Sequence, residues 1–213
     1  MSMINMTEKE LIRRCRKKNA KAQKLLYKTY HGSLLGVCLR YGKSKAEAED
    51  ILQMGMMKIY KSIGSYSGKG SFEGWMKRIV VNTAVDNFRK NHKHYYHENL
   101  DDVYGDTNLA GNIPDNLEVK DILNTIQRLS PGYRMVFNLY AIEGYSHKEI
   151  ASKLGISEST SKTQLMKARL KLQKMLLSIE RIPKYTSDEK TPPVYQKILK
   201  KDALVTVDLV TQE

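Results

Sequence analysis

Residues 130–177 decide the fold and read SPGYRMVFNLYAIEGYSHKEIASKLGISESTSKTQLMKARLKLQKMLL. The opening pair, Ser130 and Pro131, predicts a helix start. A serine hydroxyl caps free N–H groups there, and a proline at the first helical position loses no hydrogen bond. Gly144 is expected to end this helix, since glycine is favoured just after a helix and disfavoured within one.

Two further helices are predicted in the same segment. Ser146 and Glu149 have the spacing of a capping box, in which each side chain bonds the other residue's backbone N–H, so a short helix begins there. Gly155 suits the left-handed residue that ends it, and Ser157 caps a longer helix. A short helix, a three-residue turn containing glycine and a longer helix predict a helix-turn-helix.

The longer helix has an apolar stripe on one side and cations on the other. The stripe is spaced by fours and threes: Ser161, Leu165, Ala168, Leu172 and Met175. No acid occurs between Glu158 and Glu180. A recognition helix in the DNA major groove needs this arrangement, and a basic, solvated helix of a bundle is the alternative. The outward candidates for DNA contact are Ser159, Thr160, Lys162, Thr163, Lys167 and Arg169.

The first part of the chain predicts uninterrupted helices, because no proline precedes Pro114. Apolar residues recur at helical spacing over Thr7–Tyr41, over Lys45–Ile63 and over Phe72–Asn91. Residues 64–71 hold three glycines and are typical of a loop.

Aromatic residues lie beside this loop, next to basic positions of the following helix. Phe72 and Trp75 are followed by Lys77 and Arg78. Single-stranded DNA is bound by such a combination, through base stacking over a cationic groove. Aromatic residues at helical spacing are more often core, so both interpretations stay open here.

Composition divides the chain into four segments. Residues 98–121 hold seven acids and one lysine, which predicts a solvated linker, and three of the five prolines lie beyond residue 180. We expect an all-α protein of two small helical domains joined by an acidic linker and followed by an extended C-terminal tail. The expected bounds are 1–94, 95–118, 119–179 and 180–213, with one short strand over 203–210.

The net charge of +13 favours a polyanionic partner, and other features exclude several classes of protein. No apolar run nears the ~20 residues of a membrane span, and the N-terminus lacks the apolar stretch of a signal peptide. Cys15 and Cys38 are expected to be reduced thiols of a cytoplasmic protein. No phosphate-binding or dinucleotide fingerprint is present, so no cofactor is expected.

Three stretches in this order resemble the extracytoplasmic-function sigma factors of bacterial RNA polymerase. They are AEDILQ at 48–53, SYSGKGSFEGWMKRIVVNTAVDNFRK at 65–90, and the segment from Leu129 to Leu172. The resemblance covers roughly residues 8–179. It implies sigma domain 2, a linker and sigma domain 4, with core RNA polymerase and promoter DNA as partners and an anti-sigma factor as a common antagonist.

The resemblance also implies roles for individual residues. Asp50 and Gln53 match the helix that docks on core polymerase. The loop that captures a flipped base of the single-stranded −10 element corresponds to Tyr66, Gly68, Lys69 and Phe72. The helix that reads and melts this element corresponds to Trp75, Arg78, Asn82 and Asp86. The positions facing the duplex −35 element correspond to Lys162, Thr163, Met166 and Lys167. Ser161 replaces a common valine and leaves a small hydroxyl on the inner face.

Other functions compete with this interpretation. An operator-binding regulator that works without polymerase explains the helix-turn-helix and leaves the first domain without a role. A metal-dependent nuclease would use Glu47, Glu49 and Asp50, but adjacent acids at a helix start more often stabilise its N-terminus. His92, His94 and His97 lack the spacing and partners of a zinc site. We therefore expect no catalytic residue and no metal. The tail's partner is left open.

Overall fold

A computed structural model describes residues 6–95 and 123–177, and over these ranges the chain is helical with no strand. The chain forms two compact units. We call residues 6–95 unit 1 and residues 123–177 unit 2. The expectation of two small helical domains is confirmed. The acidic linker from residue 96 onward, the tail and the strand over 203–210 lie outside the described residues.

Unit 1 is formed by α1 (Glu8–Arg16), α2 (Ala20–Tyr41), α3 (Lys45–Ser62), a 3-10 turn (Ile63–Ser65) and α4 (Phe72–Tyr95). The side chains of Thr7, Asn19 and Ser44 cap the first three helices, each by accepting from the backbone N–H three residues later. Apolar spacing over Thr7–Tyr41 does not reveal the break between α1 and α2. The cap at Asn19 marks it.

The core of unit 1 lies where α2, α3 and α4 pack against one another, with α1 against α2. Its largest fully buried side chains include Leu26, Leu34, Ile51, Leu52, Ile59, Phe72 and Met76. Gly55 brings α3 close to α4, since a Cβ there would lie 3.0 Å from Cγ2 of Val80. This packing fixes which face of α3 points outward.

Unit 2 is formed by α5 (residues 123–127), α6 (Pro131–Phe137), a π turn (Asn138–Ile142), α7 (His147–Leu154) and α8 (Glu158–Leu177). The capping box of Ser146 and Glu149 is present, and Gly155 has a φ of 70°. Gly144, with a φ of 80°, follows the π turn. The helix-turn-helix predicted from these residues is therefore confirmed.

The predicted cap at Ser130 is wrong. Pro131 does begin α6, but the hydroxyl of Ser130 makes no capping hydrogen bond. The residue is 4% exposed, and its Oγ is buried without a partner. The physical reason is burial, because the side chain packs into the interior while its backbone carbonyl accepts from the N–H of Arg134 at 2.9 Å.

Both cysteines are buried free thiols. Burial raises the pKa of the Cys15 thiol, and it raises the pKa of the Cys38 thiol to about 12. Among the described helices, none has the length and apolar content that a membrane span requires.

One residue of unit 1 has a strained backbone. Lys18, between α1 and α2, has a φ of 58°. We expect Lys18→Gly to raise the free energy of unfolding by ~0.5–1 kcal/mol. The left-handed conformation costs residues other than glycine about 1–2 kcal/mol, and glycine removes this strain. The larger conformational entropy that glycine loses on folding cancels only part of the gain. Urea unfolding followed by the fluorescence of Trp75, the chain's single tryptophan, measures this in unit 1.

The neighbouring Lys17 provides a matched control for this change. Its φ is −81°, so glycine relieves no strain there and only adds entropy to the unfolded chain. Lys17→Gly should lower stability. If both substitutions changed stability in the same direction, the strain at Lys18 would be absent.

Candidate nucleic-acid interface

One face of α3 points away from the core of unit 1. Asp50 and Gln53, both predicted for polymerase docking, are exposed on it. Met57 lies two turns after Asp50 on the same face and is 59% exposed, the highest value among the large apolar side chains of the described residues. Helical spacing over Lys45–Ile63 predicts Met57 on the apolar, buried side of the helix, and this prediction is wrong, because Met57 lies on the solvent side of α3. We call Asp50, Gln53, Met54 and Met57 the α3 outer face.

The acids near the start of α3 have separate structural roles. Glu47 accepts from the backbone N–H of Lys43 at 2.7 Å and from Nδ2 of Asn87 at 3.0 Å, which ties α3 to α4. Glu49 lies 4.0 Å from Nζ of Lys45. Among the described residues, no three His, Cys, Asp or Glu side chains are grouped so that they could hold a metal ion.

Residues 66–71, here called the glycine loop, connect the 3-10 turn to α4. Gly68 and Gly70 have φ values of 79° and 76°, which side chains disfavour, although a Cβ at either position would meet open space. The hydroxyl of Tyr66 donates to the carbonyl of Gly70 at 2.7 Å and closes the loop on itself. Lys69 stands exposed at its tip.

Aromatic rings form the base of this loop. The ring centroids of Tyr66 and Phe72 lie 5.0 Å apart, and Phe72 stacks on Trp75 at 5.6 Å. Tyr66 is 7% exposed and Phe72 is 1% exposed, so both rings belong to the core. Trp75 is half-buried and keeps part of its surface exposed. The loop therefore offers solvent its glycine backbone, Lys69 and an edge of Trp75.

The outer side of α4 carries the other residues predicted for the −10 element. Arg78 is exposed, and Asn82 is half-buried. Asp86 forms an exposed ion pair with Lys58 of α3 at 2.7 Å. That pair lines a groove of about 540 Å³ between α3 and α4, together with Lys61, Arg89 and other residues. Its lining combines four cations and the acid Asp86 with Met54 and Met57, so the groove borders the α3 outer face.

In unit 2, α8 presents the predicted outward face to solvent. Four residues of the predicted stripe, Ser161, Leu165, Ala168 and Leu172, are buried as expected, and the last, Met175, is half-buried. The exposed predicted residues are Ser159, Lys162, Thr163, Met166 and Lys167. Thr160 is held at the helix start, where its N–H donates to Oγ of Ser157 at 3.0 Å. Lys162 pairs with Glu158 at 2.9 Å, one turn earlier.

Two cations further along α8 lie against aromatic rings instead of facing outward. The guanidinium of Arg169, predicted for DNA contact, is 5.6 Å from the centroid of Tyr140. Nζ of Lys171 is 5.3 Å from the centroid of Tyr133. Cation–π contacts of this kind stabilise the packing of α8 on α6 and on the π turn. The cationic outward surface is thus concentrated in the first half of α8.

A polar contact links the two helices of the helix-turn-helix. Nδ1 of His147, at the start of α7, lies 2.9 Å from Oγ of Ser161, which is fully buried in α8. The His147 ring stacks on Tyr140 with centroids 4.5 Å apart. The small hydroxyl expected on the inner face therefore has a partner, and it fixes α8 against α7.

Protonation of His147 should weaken unit 2. Desolvation lowers the pKa of His147 below its ordinary value of 6.5, as does the charge of Lys162, while Glu158 opposes them. Because the folded state binds the proton less readily than the unfolded chain, stability falls as pH drops below about 6.5. We expect urea unfolding, followed by helical circular dichroism, to show lower stability at pH 5.5 than at pH 7.

A decline of equal size in His147→Gln would contradict this assignment. The carboxyls of Glu73 and Glu158 have a lowered pKa, so their contributions are lost only under more acidic conditions. The matched change His31→Gln alters unit 1 instead and should leave the decline in place.

Comparison with known proteins gives two family matches in chain order. Sigma-70 region 2 matches residues 26–94, and Sigma-70, region 4 matches residues 120–172. The RNA polymerase sigma-H factor of Pseudomonas aeruginosa is 26% identical over 180 residues, 79% of this chain and 93% of that protein. The ECF RNA polymerase sigma-E factor of Escherichia coli is 26% identical over 175 residues, 77% of this chain and 91% of that protein.

A solved structure is also similar to this chain. It is the sigma factor RpoE of Bartonella quintana, co-crystallised with the anti-sigma factor NepR. It aligns with a TM-score of 0.47 and 21% identity over 73% of this chain and 97% of that one.

The two matched regions together span more than half of the chain. The first lies within unit 1, and the second overlaps most of unit 2. The relatives match along nearly their whole length. The chain therefore belongs to the sigma-70 family of RNA polymerase sigma factors, in its extracytoplasmic-function group.

Proposed function

We propose that this sigma factor docks on core RNA polymerase through the α3 outer face, contacts the −10 element with the glycine loop and α4, and reads the −35 element with α8. Residues 1–94 then act as sigma domain 2, 95–118 as the linker, 119–179 as sigma domain 4 and 180–213 as a tail. The observation that carries this proposal is the α3 outer face. It exposes Met57 beside Asp50 and Gln53, on a helix whose opposite side is fully packed.

An operator-binding regulator has no use for that face. A solvent-exposed methionine lies on that face beside an acid and an amide. When a protein partner covers it, burial of the methionine side chain stabilises the complex by about 1.5–3 kcal/mol. This distinguishes the polymerase-dependent proposal from the alternative, which accounts only for α8.

We propose that the glycine loop acts through its backbone more than through its aromatic rings. Tyr66 and Phe72 are buried, so a captured base would meet glycine N–H and carbonyl groups, Lys69 and the edge of Trp75. Glycines permit this close approach of a base to the main chain. The rings keep the shape of the loop from below.

We further propose that the chain has no catalytic activity of its own, needs no cofactor, works in the cytoplasm and is held by an anti-sigma factor when inactive. Transcription with purified core polymerase tests the central claim. Adding the chain should produce new start sites that core polymerase alone does not use. Tight binding of duplex promoter DNA by the free chain, without any gain of start sites, would favour the operator-binding regulator.

On α8 we expect Lys162 to read a base. Its position in the first turns points it at the groove floor, where lysine donates to the O6 and N7 acceptors of guanine. Lys162→Ala should weaken holoenzyme binding to the preferred −35 sequence by about 1–3 kcal/mol, with a smaller loss on substituted sequences. The measurement is holoenzyme affinity across a set of −35 substitutions at several salt concentrations.

Lys174 is the matched control, because it is exposed on the same helix beyond the first turns. Lys174→Ala should weaken binding to all sequences alike and lower the slope of log affinity against log salt by about one. An equal loss on every sequence for Lys162→Ala would assign Lys162 to phosphate contact and leave Thr163, Met166 and Lys167 as the readers.

A further inference from the structure

A side chain of α1 holds the glycine loop from outside it. Arg16 donates from Nη2 to the carbonyl of Tyr66 at 2.6 Å and from Nε to the carbonyl of Ile63 at 3.3 Å. These carbonyls stand on either side of the last residues of the 3-10 turn, where the chain leaves α3. One guanidinium therefore fixes the point at which the glycine loop begins.

This attachment continues through Tyr66 to the far side of the loop. The carbonyl of Tyr66 accepts from Arg16, while its hydroxyl donates to the carbonyl of Gly70 at 2.7 Å. The carbonyl and the hydroxyl of Tyr66 are thus both hydrogen-bonded. Gly68 and Gly70, which have positive φ values, lie in the segment that the hydroxyl closes. Arg16 therefore bonds to the same residue whose hydroxyl closes the segment Gly68–Gly70.

The loop borders open space on the side of α1. A cavity of about 460 Å³ lies there, lined by Arg16, Tyr66, Ser67, Gly68 and residues of α1. The nearby Glu10 does not compete for Arg16, since it is paired with Arg13 and Arg14 at 2.7 and 2.6 Å. The hydrogen bonds of Arg16 therefore connect α1 and the loop across a largely open space.

We propose that Arg16 is a positioning residue for promoter melting, which holds the glycine loop in the conformation that receives a −10 base. The inference rests on the proposed function of that loop. A loop fixed before binding loses less conformational entropy when it captures a base, so its affinity for the flipped base is higher. Arginine suits this role because its planar fork reaches two carbonyls at once, whereas lysine presents a single ammonium.

The test compares Arg16→Ala, Arg16→Lys and Arg14→Ala in holoenzyme bound to pre-melted templates. Arg14→Ala is the matched control, because it removes the same charge from α1 without touching the loop. In an abasic scan, one base of the −10 strand is removed at a time, and the affinity of holoenzyme for each template is measured. The loss of affinity at the most sensitive position measures how strongly that base is captured. At that position, the ratio of affinities for the intact and the abasic template should be roughly tenfold smaller in Arg16→Ala than in wild type. Arg16→Lys should give an intermediate ratio, and Arg14→Ala should give the wild-type ratio.

Affinity for core polymerase and the midpoint of urea unfolding are measured for the same variants. Positioning predicts that both stay at wild-type values in Arg16→Ala. A parallel loss of core affinity or of stability would overturn the proposal in favour of a merely structural role, and so would an unchanged abasic scan. If wild type itself shows no sensitive position, the proposed function of the loop fails, and with it the ground for this inference.

Discussion

Holoenzyme whose sigma factor lacks residues 68–70 is expected to form open complexes on duplex promoter DNA at least ~100-fold more slowly than wild type. Base flipping costs a few kcal/mol of unstacking, and the exposed glycine backbone is the part of the loop that can repay it. Every 1.4 kcal/mol of lost capture corresponds to a tenfold change. Permanganate reactivity of unpaired thymines, followed over time, measures opening directly.

A pre-melted bubble template is the decisive control for this deletion. Unstacking is already complete there, so much of the defect should disappear. Gly64→Ala serves as a matched change, because a Cβ at Gly64 also meets open space but the residue lacks a positive φ. Equal defects of the deletion on duplex and bubble templates would mean that the loop maintains the fold of unit 1 instead of capturing a base.

Charge reversal and apolar loss on the α3 outer face should each weaken polymerase binding. We expect Asp50→Lys to lower the affinity for core polymerase at least ~10-fold, since like charges at an interface cost several kcal/mol. Met57→Glu should lower it by about 10–100-fold, because it replaces a contact of about 1.5–3 kcal/mol with a carboxylate that must be desolvated. Fluorescence anisotropy of a labelled sigma factor titrated with core enzyme measures both.

Glu49→Lys is the matched control for Asp50→Lys. It reverses an exposed charge one residue away, outside the α3 outer face, and its only described ion pair is a surface contact of 4.0 Å with Lys45. Its core affinity should stay within about twofold of wild type, since exposed pairs contribute little. The docking assignment would fail if all three variants bound core polymerase equally well while circular dichroism showed intact helices.

Local signals were sufficient to predict most of the helix-turn-helix. The capping box at Ser146 and the left-handed Gly155 depend on residues within one turn of each other, so their chemistry is legible in the sequence. Ser130 has the same type of local signal, yet its hydroxyl is buried without a partner. Packing of the surrounding helices decides that outcome, and no short stretch encodes it.

The candidate surfaces were predictable in part. Exposure of Asp50, Gln53 and Lys162 followed from helical spacing, because each lies opposite an apolar stripe. The same spacing could not show that Phe72 is a core residue, since stacking platforms and cores use the same residue types. The guanidinium of Arg169 lies against the ring of Tyr140 in the π turn, and helical spacing within α8 does not predict that contact. The hydrogen bond from Arg16 to Tyr66 joins residues 50 positions apart, so no local pattern in the sequence predicts it.

The two buried cysteines make unit 1 convenient for site-specific labelling. The thiolate is the form that reacts with maleimides, and neither Cys15 nor Cys38 combines access to reagent with an ordinary pKa. A single cysteine introduced at the exposed Ser67 would therefore take a fluorophore selectively, with the native thiols left in place. Such a reporter, one residue from the carbonyl that Arg16 holds, would show in real time when the glycine loop meets DNA.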